Sequence, residues 1–149
     1  MQIMADMNPV DLLKANLEAF GAGDIEAFKS TLAGDAVYNE LGTQRSVEGR
    51  DAIAELTFGW REAFPDAHAI FNNVLETADG AVAELTWEGT QTGPMETPDG
   101  TIPASGNSIS LPASVVATIE GGEIKETRQY FDMFSLLQQI GAFPEGSND

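Results

Sequence analysis

"FPDAHAIFNNVLETADGAVAELTWEG", residues 64–89, is where the period of the chain changes. Up to Pro65 the apolar residues recur at helical spacing. Ile53, Leu56, Trp60 and Phe64 fall on one side of a helix from about Arg50 to Phe64, which ends because a residue preceding proline avoids the helical region. Beyond Pro65 the pattern alternates. His68–Thr77 reads as a strand, "ADG" as its turn, and Ala81–Thr92 as a second strand. In the latter, Ala83, Leu85, Trp87, Gly89 and Gln91 share one face and Glu84, Thr86 and Glu88 the other, so the apolar set is expected to face the helices.

Toward the N-terminus, Asn8 and Pro9 open a helix carrying Val10, Leu13, Leu17 and Phe20. Asp24 can cap a shorter helix with Ile25, Phe28 and Leu32. "AVYNEL" (36–41) reads as a short strand and "GTQRSVEG" (42–49) as loop. Toward the C-terminus, "GPMETPDGTIPASGN" (93–107) is a long loop rich in Gly and Pro. Ser108–Glu120 and Glu123–Phe131 are then strands joined through "EGG". Helices first and a meander afterwards predict an α+β domain spanning 1–149. Its helices gather on one face of a curved sheet, with disordered tails at about 1–7 and 144–149.

The last strand runs into "YFDMFSLLQQIG" (130–141), where a helical pattern begins at once and Gly141 stops it. Asp132 sits on that junction. One reading makes it an N-cap, a contribution of about 1 kcal/mol. The other makes it a proton-transfer group in an apolar pocket, where desolvation would raise its pKa above about 3.9. Strict alternation puts Ile124, Glu126, Arg128, Tyr130 and Asp132 on one amphipathic face, as either an edge strand or a ligand cavity would require.

Composition excludes several classes of function. Seven basic against 24 acidic side chains give a net charge of −17, which disfavours nucleic-acid and anionic-membrane partners. Cysteine is absent, so thiolate catalysis and disulfides are excluded. One histidine, His68, rules out a multi-histidine metal site. The first residues lack the basic-then-apolar pattern of a signal peptide, and no stretch reaches membrane-spanning length, so a cytoplasmic location is expected.

The order of "FPDAH" (64–68), "GTQTGP" (89–94), "IPASGNSI" (102–109), "EGGEI" (120–124) and "YFDMFSLLQQIG" (130–141) resembles the SnoaL-like polyketide cyclases, also called ester cyclases, of the superfamily named after nuclear transport factor 2. The resemblance implies a cone-shaped half-barrel, a curved and mainly antiparallel sheet wrapped around helices with a deep apolar pocket. It also implies ring closure by intramolecular aldol chemistry without metal or cofactor, an acid/base at the position of Asp132, and a homodimer. Two positions depart from the pattern. At about Thr118 several relatives place a histidine or another polar side chain to pair with the aspartate, and Gln91 stands where a histidine is often found.

The expected pocket is lined by Trp60, Phe64, Trp87, Gln91, Tyr130 and Asp132, with Tyr38 and Asn39 near its mouth and Arg128 reaching the substrate or Glu126. Trp60, Phe64 and Trp87 can equally be core. The partner expected is an apolar small molecule. A non-catalytic binding protein and, more remotely, an epoxide-hydrolase-like enzyme remain alternatives.

Overall fold

The computed structural model describes residues 7–142. The expected tails lie outside them except Met7, which packs on the core. The elements are α1 (Pro9–Ala22), α2 (Ile25–Ser30), β1 (Leu32–Glu40), β2 (Arg45–Glu48), α3 (Arg50–Ala63), β3 (His68–Glu76), β4 (Gly80–Thr90), β5 (Met95–Thr97), β6 (Gly100–Ile102), β7 (Ser108–Glu120), β8 (Glu123–Phe131) and α4 (Met133–Gln139). The start signals act as side-chain caps. Asn8 accepts from Asp11 N at 2.8 Å and Asp24 from Ala27 N at 3.0 Å, each satisfying a first-turn N–H without an intrahelical partner. Among the described residues no helix is long and apolar enough to cross a membrane.

A six-stranded sheet runs in the order β2-β1-β8-β7-β4-β3. Every neighbouring pair is antiparallel except β1 and β8, which are parallel. The architecture is α+β with a curved mixed sheet. Helix α1 packs on β3 and β4, and α3 packs on β1. Two segments read as loop contain strand. Residues 45–48 form β2, and residues 95–102 fold into the β5–β6 hairpin. Neither is long enough to show a period, and β2 carries one apolar residue among four.

A bulge in β8 changes which of its side chains point inward. Ile119 pairs with Ile124 but Thr118 pairs with Glu126, so Lys125 is an extra residue in the ladder. The alternation therefore slips by one. Ile124 is buried before the bulge, and Thr127, Gln129 and Phe131 face the helices after it. Glu126, Arg128 and Tyr130 turn outward. The single amphipathic face expected for Ile124 through Asp132 does not exist.

The 91–107 segment is tied down by backbone approach to α3 and by the side chains of Gln91 and Asn107. Gly93 N donates to Ala63 O at 3.2 Å at the end of α3. A Cβ at Gly93 would stand 1.9 Å from Glu62 O, so no larger residue fits without moving the loop off α3. Gly93→Ala is expected to destabilise the fold by about 1–3 kcal/mol, as overpacking does. A urea midpoint equal to that of the unsubstituted protein would contradict this close approach.

Candidate active site

A mostly apolar cavity of ≈ 90 Å³ lies between α1, α3 and the inner face of the sheet. Leu17 and Phe20 of α1, Ile53, Trp60 and Phe64 of α3, Trp87 of β4 and Val115 of β7 supply apolar wall, and Leu136 of α4 joins them. Cavities that accommodate a benzene ring measure about 150 Å³. A ring-sized ligand therefore has to widen this one or extend through its mouth.

One carboxylate, Glu40, is fully buried on that wall at 1% exposure. Burying it unpaired would be expensive, and the surrounding elements each deliver a donor. Arg45, its ladder partner on β2, binds Oε1 through Nη2 at 2.7 Å and Nε at 3.1 Å. Thr43 donates to the same oxygen at 2.6 Å. Tyr38, two residues back on the same strand face, donates to Oε2 at 2.9 Å, and Trp60 Nε1 donates to it at 2.9 Å from α3. The Arg45 guanidinium also lies over the Trp60 ring, 5.7 Å from its centroid.

The chain of hydrogen bonds continues across the sheet. Gln129 Nε2 donates to the Tyr38 hydroxyl at 2.7 Å, and Trp87 Nε1 donates to Gln129 Oε1 at 2.7 Å. Both tryptophans of the protein therefore line the cavity and belong to one polar network. Burial pushes the Tyr38 hydroxyl well above the ordinary tyrosine range, and the neighbouring Glu40 charge adds to the rise. Tyr38 is thus a neutral donor at physiological pH. Among the described residues no cluster of three His, Asp or Glu side chains could hold a metal ion.

The structure divides the residues singled out in the sequence. Tyr38, Trp60, Phe64 and Trp87 line the cavity. Gln91 does not. It follows the end of β4, is 0% exposed, and spends its amide on the loop, donating to Gly93 O and Pro103 O and accepting from Ser105 N. Arg128 pairs with Glu126 at 3.1 Å on the outer face, and Asn39 donates to the same Glu126. Tyr130 is 46% exposed there. Asp132 lies outside the cavity too, in a shallow outer groove with Tyr130, Asn72 and Glu84. Its Oδ1 accepts from Phe134 N at 3.0 Å, the geometry of an N-cap on α4. The bulge at Lys125 accounts for the displacement of Arg128 and Tyr130, because it reverses the inward set of β8.

Glu40, Gln129 and Thr57 of α3 also line the cavity, and none of them is among the residues expected from the sequence. Glu40 shares the inward alternation of Ala36 and Tyr38, and that was the available signal. Strict alternation without the bulge turns Gln129 away from the face that carries Tyr130 and Asp132, which was the one expected to meet the ligand.

The raised Tyr38 hydroxyl makes the fold sensitive to alkali. A group whose folded pKa is raised leaves stability intact below its unfolded pKa and removes it as pH climbs past that value. Unfolding should become easier above about pH 10, the ordinary tyrosine value, as the unfolded phenol ionises and the folded one does not. Tyr38→Phe should flatten this alkaline fall while costing roughly 1–3 kcal/mol at neutral pH through the donor lost to Glu40. Chemical denaturation from pH 8 to 11 checks it. An alkaline slope unchanged in Tyr38→Phe would place the titration elsewhere.

The profile of the SnoaL-like polyketide cyclase family matches residues 10–140. No curated protein matches the chain in sequence. A candidate polyketide cyclase of Pseudomonas putida is 25% identical, with a TM-score of 0.77, covering 89% of this chain and 98% of its own. IdmH, a candidate polyketide cyclase of Streptomyces antibioticus, is 23% identical, with a TM-score of 0.77 and coverages of 91% and 99%. A Catenulispora acidiphila protein with a ketosteroid isomerase-like fold, solved with trimethylamine, is 18% identical, with a TM-score of 0.76 and coverages of 94% and 98%. The last two likenesses speak to the fold alone. With the profile running from the first turn of α1 to the end of α4, around the cavity just described, the chain belongs to the SnoaL-like polyketide cyclase family.

Proposed function

We propose that the protein is a cofactor-independent enzyme that performs carbon-acid chemistry, aldol cyclisation or isomerisation, on an apolar small molecule held in the cavity. The observation that carries this reading is the buried carboxylate of Glu40 on an apolar wall, its Oε1 held by Arg45 and Thr43 and its Oε2 met only by the neutral donors Tyr38 and Trp60. In the proposed step Glu40 removes a proton from a carbon next to a carbonyl. The C–H pair of electrons moves into the enolate, whose oxygen the Gln129 amide can meet. The enolate carbon attacks a second carbonyl of the same ligand, a C–C bond forms, and the alkoxide takes the proton back from Glu40. One of the two donors on Oε2, Tyr38 or Trp60, has to turn aside for this. Positioning and one carboxyl group suffice when the carbon is already acidic.

Deuterium uptake by β-tetralone and cyclohexanone, followed by proton NMR, tests the step. Glu40→Gln is expected to lower the enzyme-dependent rate by on the order of 10²-fold or more. Asp132→Asn, which keeps a capping residue, is expected to leave it unchanged. Circular dichroism confirms that each variant is folded. The opposite result, loss in Asp132→Asn and retention in folded Glu40→Gln, would give the acid/base role to Asp132. Quenching of tryptophan fluorescence by these ketones without any exchange would indicate a binding protein instead.

Assembly is the second part of the reading. The outer face of the sheet leaves Ile70 and Leu75 of β3 and Tyr130 of β8 exposed, with Val82 and Val116 half-buried between them. A second copy would cover that face, and closed two-fold pairs are the commonest soluble assembly. The proposed homodimer should scatter light as twice the 15.9 kDa protomer at micromolar concentration in moderate salt, which screens the −17 charge. A protomer mass under those conditions would rule it out.

A further inference from the structure

Thr57 of α3 has a hydroxyl without a partner. Its Oγ1 is sealed from water, and among the described residues it is the buried side-chain polar atom that makes no hydrogen bond. A threonine inside a helix can turn its hydroxyl onto the carbonyl one turn back. Here that carbonyl belongs to Ile53, and no such bond forms. Leaving the hydroxyl orphaned costs the free protein stability.

The position of Thr57 suggests what relieves that cost. Ile53, Thr57, Trp60 and Phe64 follow one another at spacings of four, three and four, so they form a single helical stripe. All four line the cavity. Thr57 is the one aliphatic hydroxyl in that stripe. The donors at Glu40 are committed to the carboxylate, whereas Thr57 is committed to nothing. We propose that Thr57 is a specificity-determining contact, whose hydroxyl binds a second oxygen of the ligand once the ligand fills the cavity. The contact requires a turn about χ1 that brings the sealed Oγ1 to that oxygen as the ring widens the cavity. The ligand class is then narrower than an apolar ketone. It carries two oxygens on one ring-sized frame, one meeting the Glu40–Gln129 group and one meeting α3. This inference rests on the cavity being the ligand site and not on turnover.

Three probes of one shape separate the contributions: cyclohexane, cyclohexanone and its para-diketone. Each is titrated by NMR into wild type, Thr57→Val, which keeps the shape and removes the hydroxyl, and Thr57→Ser, which keeps the hydroxyl. Thr57→Val should weaken the diketone roughly three- to tenfold, the range for one hydrogen bond. It should leave cyclohexane unchanged, and Thr57→Ser should retain the wild-type preference. The free Thr57→Val protein should melt at the same temperature as wild type or higher, because no hydrogen bond is lost. Equal diketone affinity in wild type and Thr57→Val would overturn the proposal. So would an equal loss for all three probes, which would mean altered cavity shape, or a lower melting temperature, which would mean a structural partner. Diketone selectivity in a protein that exchanges no deuterium would sustain Thr57 and reject the enzyme reading. Exchange without selectivity would do the reverse.

Discussion

A carboxylate removed from water has to be surrounded by donors, and Glu40 imposes that requirement on four separate segments of the chain. Arg45 can reach it because β2 folds back on β1 in a register that sets the two residues opposite each other. Thr43 reaches it from the turn between those strands. Tyr38 reaches it because residues two apart on a strand share a face, and Trp60 because α3 packs its apolar stripe on β1. Removing any one contact leaves a buried charge less well supported. The same group gives the apolar cavity its polar end.

The parallel pairing of β1 with β8 extends this arrangement across the sheet. It sets Tyr38 beside Thr127 and Glu40 beside Gln129, on strands about 90 residues apart in a 149-residue chain. The Gln129 amide then bridges Tyr38 and Trp87, so α3, β1, β8 and β4 meet in one network. The bulge at Lys125 is what makes this possible. Without the extra residue the Gln129 side chain would point outward and Arg128 would take its place on the inner face, bringing a second cation toward a pocket already supplied by Arg45.

At the other end of β8 the same slip leaves Asp132 on the outer surface. There it satisfies a first-turn N–H of α4. Helix α4 closes against the sheet through Leu136, which lines the cavity. Gln139 pairs with both backbone groups of Ser110, and Gly141 supplies the positive φ that ends the helix. Asp132 therefore contributes to the cavity wall indirectly, by fixing where α4 begins.

Local patterns in the sequence determined most of the fold. The change of period at Pro65, the caps at Asn8 and Asp24, and the alternation that turns Trp87 inward are properties of neighbouring residues, and each recurs in the structure. The order of the motifs carried the family, and the family carries the sheet order. Trp60, Phe64, Trp87 and Tyr38 were legible as candidates because large apolar or amphipathic side chains on an inward face have few other places to go. The chemical end of the site was not legible. A bulge leaves no reliable trace in a run such as "EIKETRQYF", yet it decides whether Gln129 or Arg128 faces the cavity. Glu40 reads as an ordinary acidic residue near a strand end until Arg45, Thr43, Tyr38 and Trp60 converge on it. Thr57 reads as less informative than the apolar Leu56 beside it. Burial of a polar group depends on partners distant in sequence, and those partners are brought together only by the tertiary structure.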